Sequence, residues 1–399
     1  MKNIPQGKKQ KKVSLKKVFN FFVYAFALAG FILISVFFAV RLGLTNVSGI
    51  IDSNNLFFEK NNTQAAELNE SSPNAEVKGD FDVSSVDREI ERLQKVKNLR
   101  SESYCKLKIL KSYYPSNVKK ILSVSEVTKS DPIVAKMISA SELGISGNHE
   151  LKNILGNCSG YPSGNVDYAS LKENLADSGK GDVYYWVGKP EWQAIKEATE
   201  KDRDQIEKVS KETGIESRLI VSNMIVEQLR LANSQREVFK QFFEPLKVLC
   251  SANKISLGVM GIKEATAKDI ENHLKDPSSP YYLGDEYEHL LDFTSSDVTS
   301  ERYNRLVDDK NHYYSYLYGA LYLKQMMKQW SDAGYDITYR PEIVGTLFNV
   351  GFPQSHPNPS PKVGGSSIKI NDREYSFGSL AYEFYYSGEL LEKFPYEIK

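Results

Sequence analysis

The chain has 399 residues, and its 51 Lys and Arg balance 51 Asp and Glu, for a formal net charge of zero. That length allows two or three folded units, and a hydrophobic share of 41% is ordinary for a protein with a buried core. The even balance gives no reason to expect a nucleic-acid partner.

The basic residues that are clustered lie at the start. Lys2, Lys8, Lys9, Lys11, Lys12, Lys16 and Lys17 precede residues 18–40, a run without a charged side chain and rich in Phe, Ala, Val, Ile and Leu. A helix over 18–41 is long enough to cross the roughly 30 Å hydrocarbon core of a bilayer. The lysines place the tail 1–17 in the cytoplasm. A cleaved signal peptide has the same order of charge and apolarity, but its apolar region is shorter, about 7–15 residues. The expected location is therefore a cytoplasmic membrane, spanned once, with everything beyond the span outside the cytoplasm. Residues 42–84, rich in Asn, Ser, Glu and Asp, read as a flexible linker.

From residue 85 the pattern turns helical. Ile90, Leu93, Val96 and Leu99 recur at helical spacing within 86–101, and 118–127 and 132–143 behave alike. The stretch 144–189 is irregular, with Gly, Ser, Asn and Asp interrupted by Tyr161, Tyr184, Tyr185 and Trp186. Residues 85–200 thus form a helical region to which the sequence assigns no role. A charged helix follows over 190–212, ended by Thr213-Gly214, and another over 215–232. Prolines at 353, 357, 359 and 361 require a loop. Ser367–Ile370 and Glu374–Phe377 flank Asn371-Asp372 as a hairpin, and a last helix is expected over 379–393.

The three cysteines, Cys105, Cys158 and Cys250, lack metal-type spacing, and one disulfide with a leftover thiol fits an oxidising compartment without the pair being named. The five histidines form no metal-binding motif, so neither a metal nor another cofactor is expected.

Chemistry enters with Glu227. On the helix over 215–232, Ile220, Met224, Glu227 and Leu231 share a face, which sets a carboxylate among apolar neighbours. Such a setting favours the protonated form that a general acid needs. Taken alone, a solvated glutamate at the edge of an amphipathic helix is the simpler reading. Further along come Ser256-Leu257-Gly258-Val259-Met260-Gly261-Ile262, then Ala265-Thr266-Ala267, then Asn311, Gly319-Ala320 and Tyr322-Leu323, and finally Leu347-Phe348-Asn349-Val350-Gly351.

In this order and spacing the segments resemble the lysozyme-like lytic transglycosylases of the soluble-lytic type, over about 204–352. The resemblance implies a mainly α fold, with a lysozyme-like catalytic domain and small β elements over 201–352, and a C-terminal extension over 353–399. It implies cleavage of peptidoglycan glycan strands at the MurNAc-GlcNAc β-1,4 bond, with formation of a 1,6-anhydro ring. Glu227 is then acid and base, while Ser256, Gly258, Met260, Gly261, Phe348 and Asn349 contact the saccharide, Asn349 alternatively bonding the segment that holds Glu227. Two positions depart from the family pattern, Gln228 in place of serine and Gly261 in place of glutamine, and an insertion over 233–253 lengthens the separation between Glu227 and Gly258. Two alternatives stand beside this reading. A hydrolytic muramidase needs a second carboxylate such as Glu264 or Asp269, and a catalytically inactive scaffold keeps the groove and only binds the wall.

Overall fold

The computed structural model describes residues 99–128, 130–145, 148–159, 181–233, 256–370 and 373–397, with Tyr24, Phe26, Ala27, Gly30, Phe31 and Ser35. The tail 1–17, most of the expected span 18–41, the linker 42–84 and most of the insertion 233–253 lie outside the described residues. The six described residues of the span are helical, and Tyr24, Phe26 and Phe31 are exposed. Among the described residues no helix is long and apolar enough to cross a membrane.

The fold is mainly α. Helices α1 (Leu99–Tyr113), α2 (Pro115–Thr128), α3 (Asp131–Gly144) and α4 (His149–Gly156) come first. After them come α5 (Pro190–Lys201), α6 (Arg203–Thr213) and α7 (Ser217–Ala232). A hairpin of β1 (Ser256–Leu257) and β2 (Ile262–Lys263) leads into α8 (Glu264–Lys275), α9 (Val298–Val307), α10 (Tyr313–Asp332) and α11 (Pro341–Val350). A second antiparallel hairpin, β3 (Ser367–Ile370) with β4 (Arg373–Ser376), precedes α12 (Phe377–Tyr386). Its pairing runs from Ser367 opposite Ser376 to Ile370 opposite Arg373, which places the hairpin where alternation predicts it.

Local signals set many of the helix ends. Pro lies in the first turn of α3, α5 and α11, where its missing N–H costs nothing. Asn148 and Asp297 accept from backbone N–H groups at the starts of α4 and α9, and Ser376 with Ser379 forms a capping box on α12. Gly214 closes α6 in the left-handed region at φ 67°.

Three expectations are corrected. The helix over 190–212 is two helices, α5 and α6, broken at Asp202. The carboxylate of Asp202 accepts from Tyr316 Oη at 2.9 Å and lies 2.6 Å from His312 Nδ1, so a partner about 110 residues away holds the break. Within the irregular stretch, α4 is a regular helix built on a cap and the buried pair Leu151 and Leu155. The last helix ends at Tyr386 rather than 393, because the chain there turns around a side chain of α7.

That side chain is Arg218, fully buried. Its guanidinium donates to the carbonyls of Tyr385 (2.7 Å), Glu389 (2.9 Å), Phe394 (3.0 Å) and Phe384 (3.2 Å). The rings of Phe384, Tyr385 and Tyr396 lie against it. The carbonyls left open where α12 ends thus find donors without water.

Almost every side chain of α7 is buried, because the helix is packed by α5, α6, α10, α11 and α12. A helix that is apolar on most sides belongs at such a centre. Buried apolar side chains from Leu107 to Tyr396 form one continuous core, so described residues on either side of 200 and 352 share it.

Cys105 in α1 is disulfide-bonded to Cys158 just after α4, while Cys250 lies outside the described residues. The two bonded cysteines are 53 residues apart, a closure that removes about 4 kcal/mol of chain entropy from the unfolded state. Cys158→Ser is expected to lower the unfolding free energy by about 2–4 kcal/mol in urea titrations, and reduction of the wild type should match it.

Glu383 of α12 is also fully buried, and one of its oxygens accepts from Trp186 Nε1 at 3.0 Å. Burial pushes its carboxyl up to about 7, against the opposing pull of Arg373 and of the Trp186 N–H. The unfolded chain gives up this proton near 4.5, whereas the folded one holds it to about 7. Folding therefore takes up a proton between these values, and stability falls as pH rises through them, by on the order of 3 kcal/mol. Urea titrations at pH 4.5 and 7.5 should show this slope in the wild type relative to Glu383→Gln.

Candidate functional site

The second half of α7 carries Glu227, and the β1–β2 hairpin folds directly onto it. Ser256 pairs with Lys263 and Leu257 with Ile262, so Gly258 to Gly261 make the turn, closed by Gly261 N donating to Gly258 O at 3.1 Å. Gln228 fastens this turn to α7, since its Nε2 donates to Val259 O at 2.6 Å. Met260 N donates to Ser315 Oγ at 3.2 Å, which fastens the other side to α10.

Both glycines of the turn are demanded by backbone and by space. Gly258 has φ 65° and Gly261 has φ 63°, conformations that cost a side-chain-bearing residue roughly 1–2 kcal/mol. A Cβ on Gly258 would sit 2.0 Å from Leu306 O and 2.6 Å from Ser315 Oγ. One on Gly261 would sit 2.1 Å from Glu227 Oε1 and 2.5 Å from its Cδ. These glycines therefore let the turn approach α9, α10 and the Glu227 carboxylate. Gly261 at this position leaves room for the carboxylate that a longer side chain would have to share.

Glu227 is 3% exposed, in keeping with its apolar face. Its neighbours are not all apolar. Arg230 Nε donates to Oε2 at 2.9 Å, and Arg230 Nη2 donates to Oε1, which forks the guanidinium across both oxygens. The arginine side chain is nearly as buried as its partner, at 9% against 4%. Sequence reading missed Arg230, although its position three residues beyond Glu227 is the spacing at which helical side chains meet.

The other expected contact residues are scattered in role. Met260 is fully buried, and its side chain packs on Gly319, where a Cβ would come within 2.5 Å of Met260 Cε. It fills the core between hairpin and α10 and does not line a groove. Phe348 is 7% exposed and stacks among Tyr322 and Phe377 at 5.4 and 6.1 Å. Asn349, at the end of α11, accepts through Oδ1 from Ser366 N (2.7 Å) and Ser366 Oγ (2.9 Å). That pins the loop entering β3. Ser256 contributes its backbone to the hairpin.

Glu264 opens α8, is buried, and pairs with Lys268 at 3.0 Å. Asp269 lies one turn from His273 on the same helix, and partial burial raises its carboxyl above the ordinary range while His273 opposes this. Among the described residues no group of three or more His, Cys, Asp or Glu could hold a metal ion. The turn thus covers the buried Glu227 carboxylate, which a guanidinium forks across both oxygens.

The contact between Gly261 and Glu227 can be measured. Gly261→Ala is expected to lower stability by about 2–4 kcal/mol, from backbone strain plus overpacking. In a Glu227→Ala background the cost should shrink to about 1–2 kcal/mol, the backbone part alone. Equal costs in both backgrounds, read from chemical denaturation, would place the turn away from the carboxylate.

No protein-family model, curated protein or solved structure matches this chain.

Proposed function

We propose that this chain is a membrane-anchored peptidoglycan lytic transglycosylase with a lysozyme-like catalytic unit, acting outside the cytoplasm, with Glu227 as its single acid and base. The observation that carries this reading is the closure of the Gly258–Gly261 turn on Glu227, joined by the Gln228–Val259 bond across 31 residues. The two segments in which the resemblance is densest are thereby neighbours in space. The Cys105–Cys158 disulfide supports an oxidising compartment. Exposed Tyr24, Phe26 and Phe31, helical within an uncharged run, support the anchor.

In this reading Glu227 gives a proton to the oxygen between MurNAc and GlcNAc as that bond breaks. It then takes the proton of the muramyl 6-hydroxyl as this oxygen attacks C1 and closes the anhydro ring. One carboxyl serves both steps, and no water is consumed. Of the two carboxylates that could serve the hydrolytic alternative, Glu264 is paired with Lys268. The scaffold alternative has a specific observation in its favour, the engagement of both Glu227 oxygens by Arg230.

Purified peptidoglycan digested by the full chain should yield soluble fragments with anhydromuramic ends in mass spectra. Glu227→Gln should reduce their release by about 100-fold or more, the usual weight of general acid–base catalysis. Equal release by both proteins sinks the single-acid mechanism. Reducing ends would identify the muramidase, and wall binding without release by either protein would identify the scaffold.

A further inference from the structure

The forked pair between Glu227 and Arg230 has a chemical consequence for what can enter the site. Both carboxylate oxygens are occupied, and both side chains are nearly out of solvent. Freeing either oxygen for a glycosidic oxygen means moving the guanidinium aside. Breaking a buried ion pair without replacing what it loses costs several kcal/mol. A neutral sugar offers hydroxyls and, where it is N-acetylated, an amide carbonyl, and these uncharged acceptors compensate a displaced guanidinium poorly. A carboxylate compensates it well, because it presents the same two-oxygen edge that Arg230 already grips. The turn over the pair is too close at Gly261 to carry any side chain that could take up this role.

We propose that Arg230 is the anion-recognising residue of this site: it exchanges the Glu227 carboxylate for a carboxylate carried by the glycan, and this exchange releases Glu227. The proposal rests on the glycan-cleaving reading above and narrows its substrate class to glycans that bear carboxylates. Muramyl residues provide such groups through their lactyl ethers when these are free, whereas oligomers of N-acetylglucosamine provide none. Arg230 is a positioning and specificity residue here, and the proton transfers remain with Glu227.

Glu227→Gln allows the test without turnover, since it removes the competing charge and leaves Arg230 in place. Binding is measured by calorimetry at low salt with two probes of equal length. One is a glycan strand stripped of its stem peptides, with free lactyl carboxylates, and the other is an oligomer of N-acetylglucosamine. Glu227→Gln is expected to prefer the carboxylate-bearing strand by about tenfold or more. The double variant Glu227→Gln, Arg230→Met, which buries no unpaired charge, should lose that preference while keeping the affinity for the neutral oligomer within about twofold. Glu227→Gln with Arg230→Lys should fall between, since lysine keeps the charge and loses the fork. A preference unchanged in the double variant overturns the proposal, as does equal binding of both probes by Glu227→Gln or binding of neither. A misfolded double variant is recognised by its thermal melt, and the lysine variant then decides alone. Failure of the catalytic reading is separate, because it appears as absence of anhydro ends from the wild type whatever the binding preference.

Discussion

The guanidinium of Arg218 is the interaction on which the rest of the architecture depends. It sits in the first turn of α7, and four carbonyls from the last turn of α12 and the segment after it converge on it. An arginine without solvent is tolerated only where its donors are spent, and here carbonyls and three aromatic faces do so. Beside it, Glu216 accepts from Tyr385 Oη and from Glu397 N, which draws the C-terminal residues over the start of the same helix. Arg373 uses the same device elsewhere, donating to the carbonyls of Leu143 and Gly144 at the end of α3. Two helix ends are thus closed by cations from distant segments, as the direction of the helix dipole favours. With its first turn so fixed, α7 holds Glu227 near its other end in a set orientation under the β1–β2 turn.

How far the sequence reveals this can be judged residue by residue. Helix α7 was legible because a long apolar run ended by turn residues has few other solutions, and the β3–β4 hairpin because alternation and a turn pair are local signals. The Gly258–Gly261 turn was legible through its glycines. Their purpose was not, since the atoms that forbid a side chain there belong to Leu306, Ser315 and Glu227, far away in the chain. The break at Asp202 and the early end of α12 escaped for the same reason: each is set by polar contacts across more than 100 residues. Such contacts leave no periodicity.

The site illustrates a different limit. Methionine and phenylalanine in a motif are compatible with a groove wall and with a core, and composition cannot decide between them. For Met260 the deciding fact is the absence of a side chain at Gly319, which opens a slot on α10 that the thioether fills. For Glu227 it is Arg230, a residue at helical contact distance whose charge changes what the carboxylate can do. A carboxylate on an apolar helix face reads as an acid waiting for a substrate; the same carboxylate in the fork of a guanidinium reads as one that must first be released.

The convergence of the C-terminal segment on Arg218 also bears on how the molecule comes into being. Helix α12 packs on α3 and α7, so the central helix lacks one wall until nearly the whole chain is available. Contacts that join residue 218 to residues 384–394 close a long loop, and folding governed by such contacts is slow and completes late. A chain synthesised from its N-terminus keeps the apolar flank of α7 open during that interval, a vulnerable state for any chain that is still emerging. A shortened version ending near residue 352 would lack that wall and leave Arg218 without the four carbonyls it holds here, so the unit that folds is set by where Phe394 lies rather than by where the recognisable motifs stop.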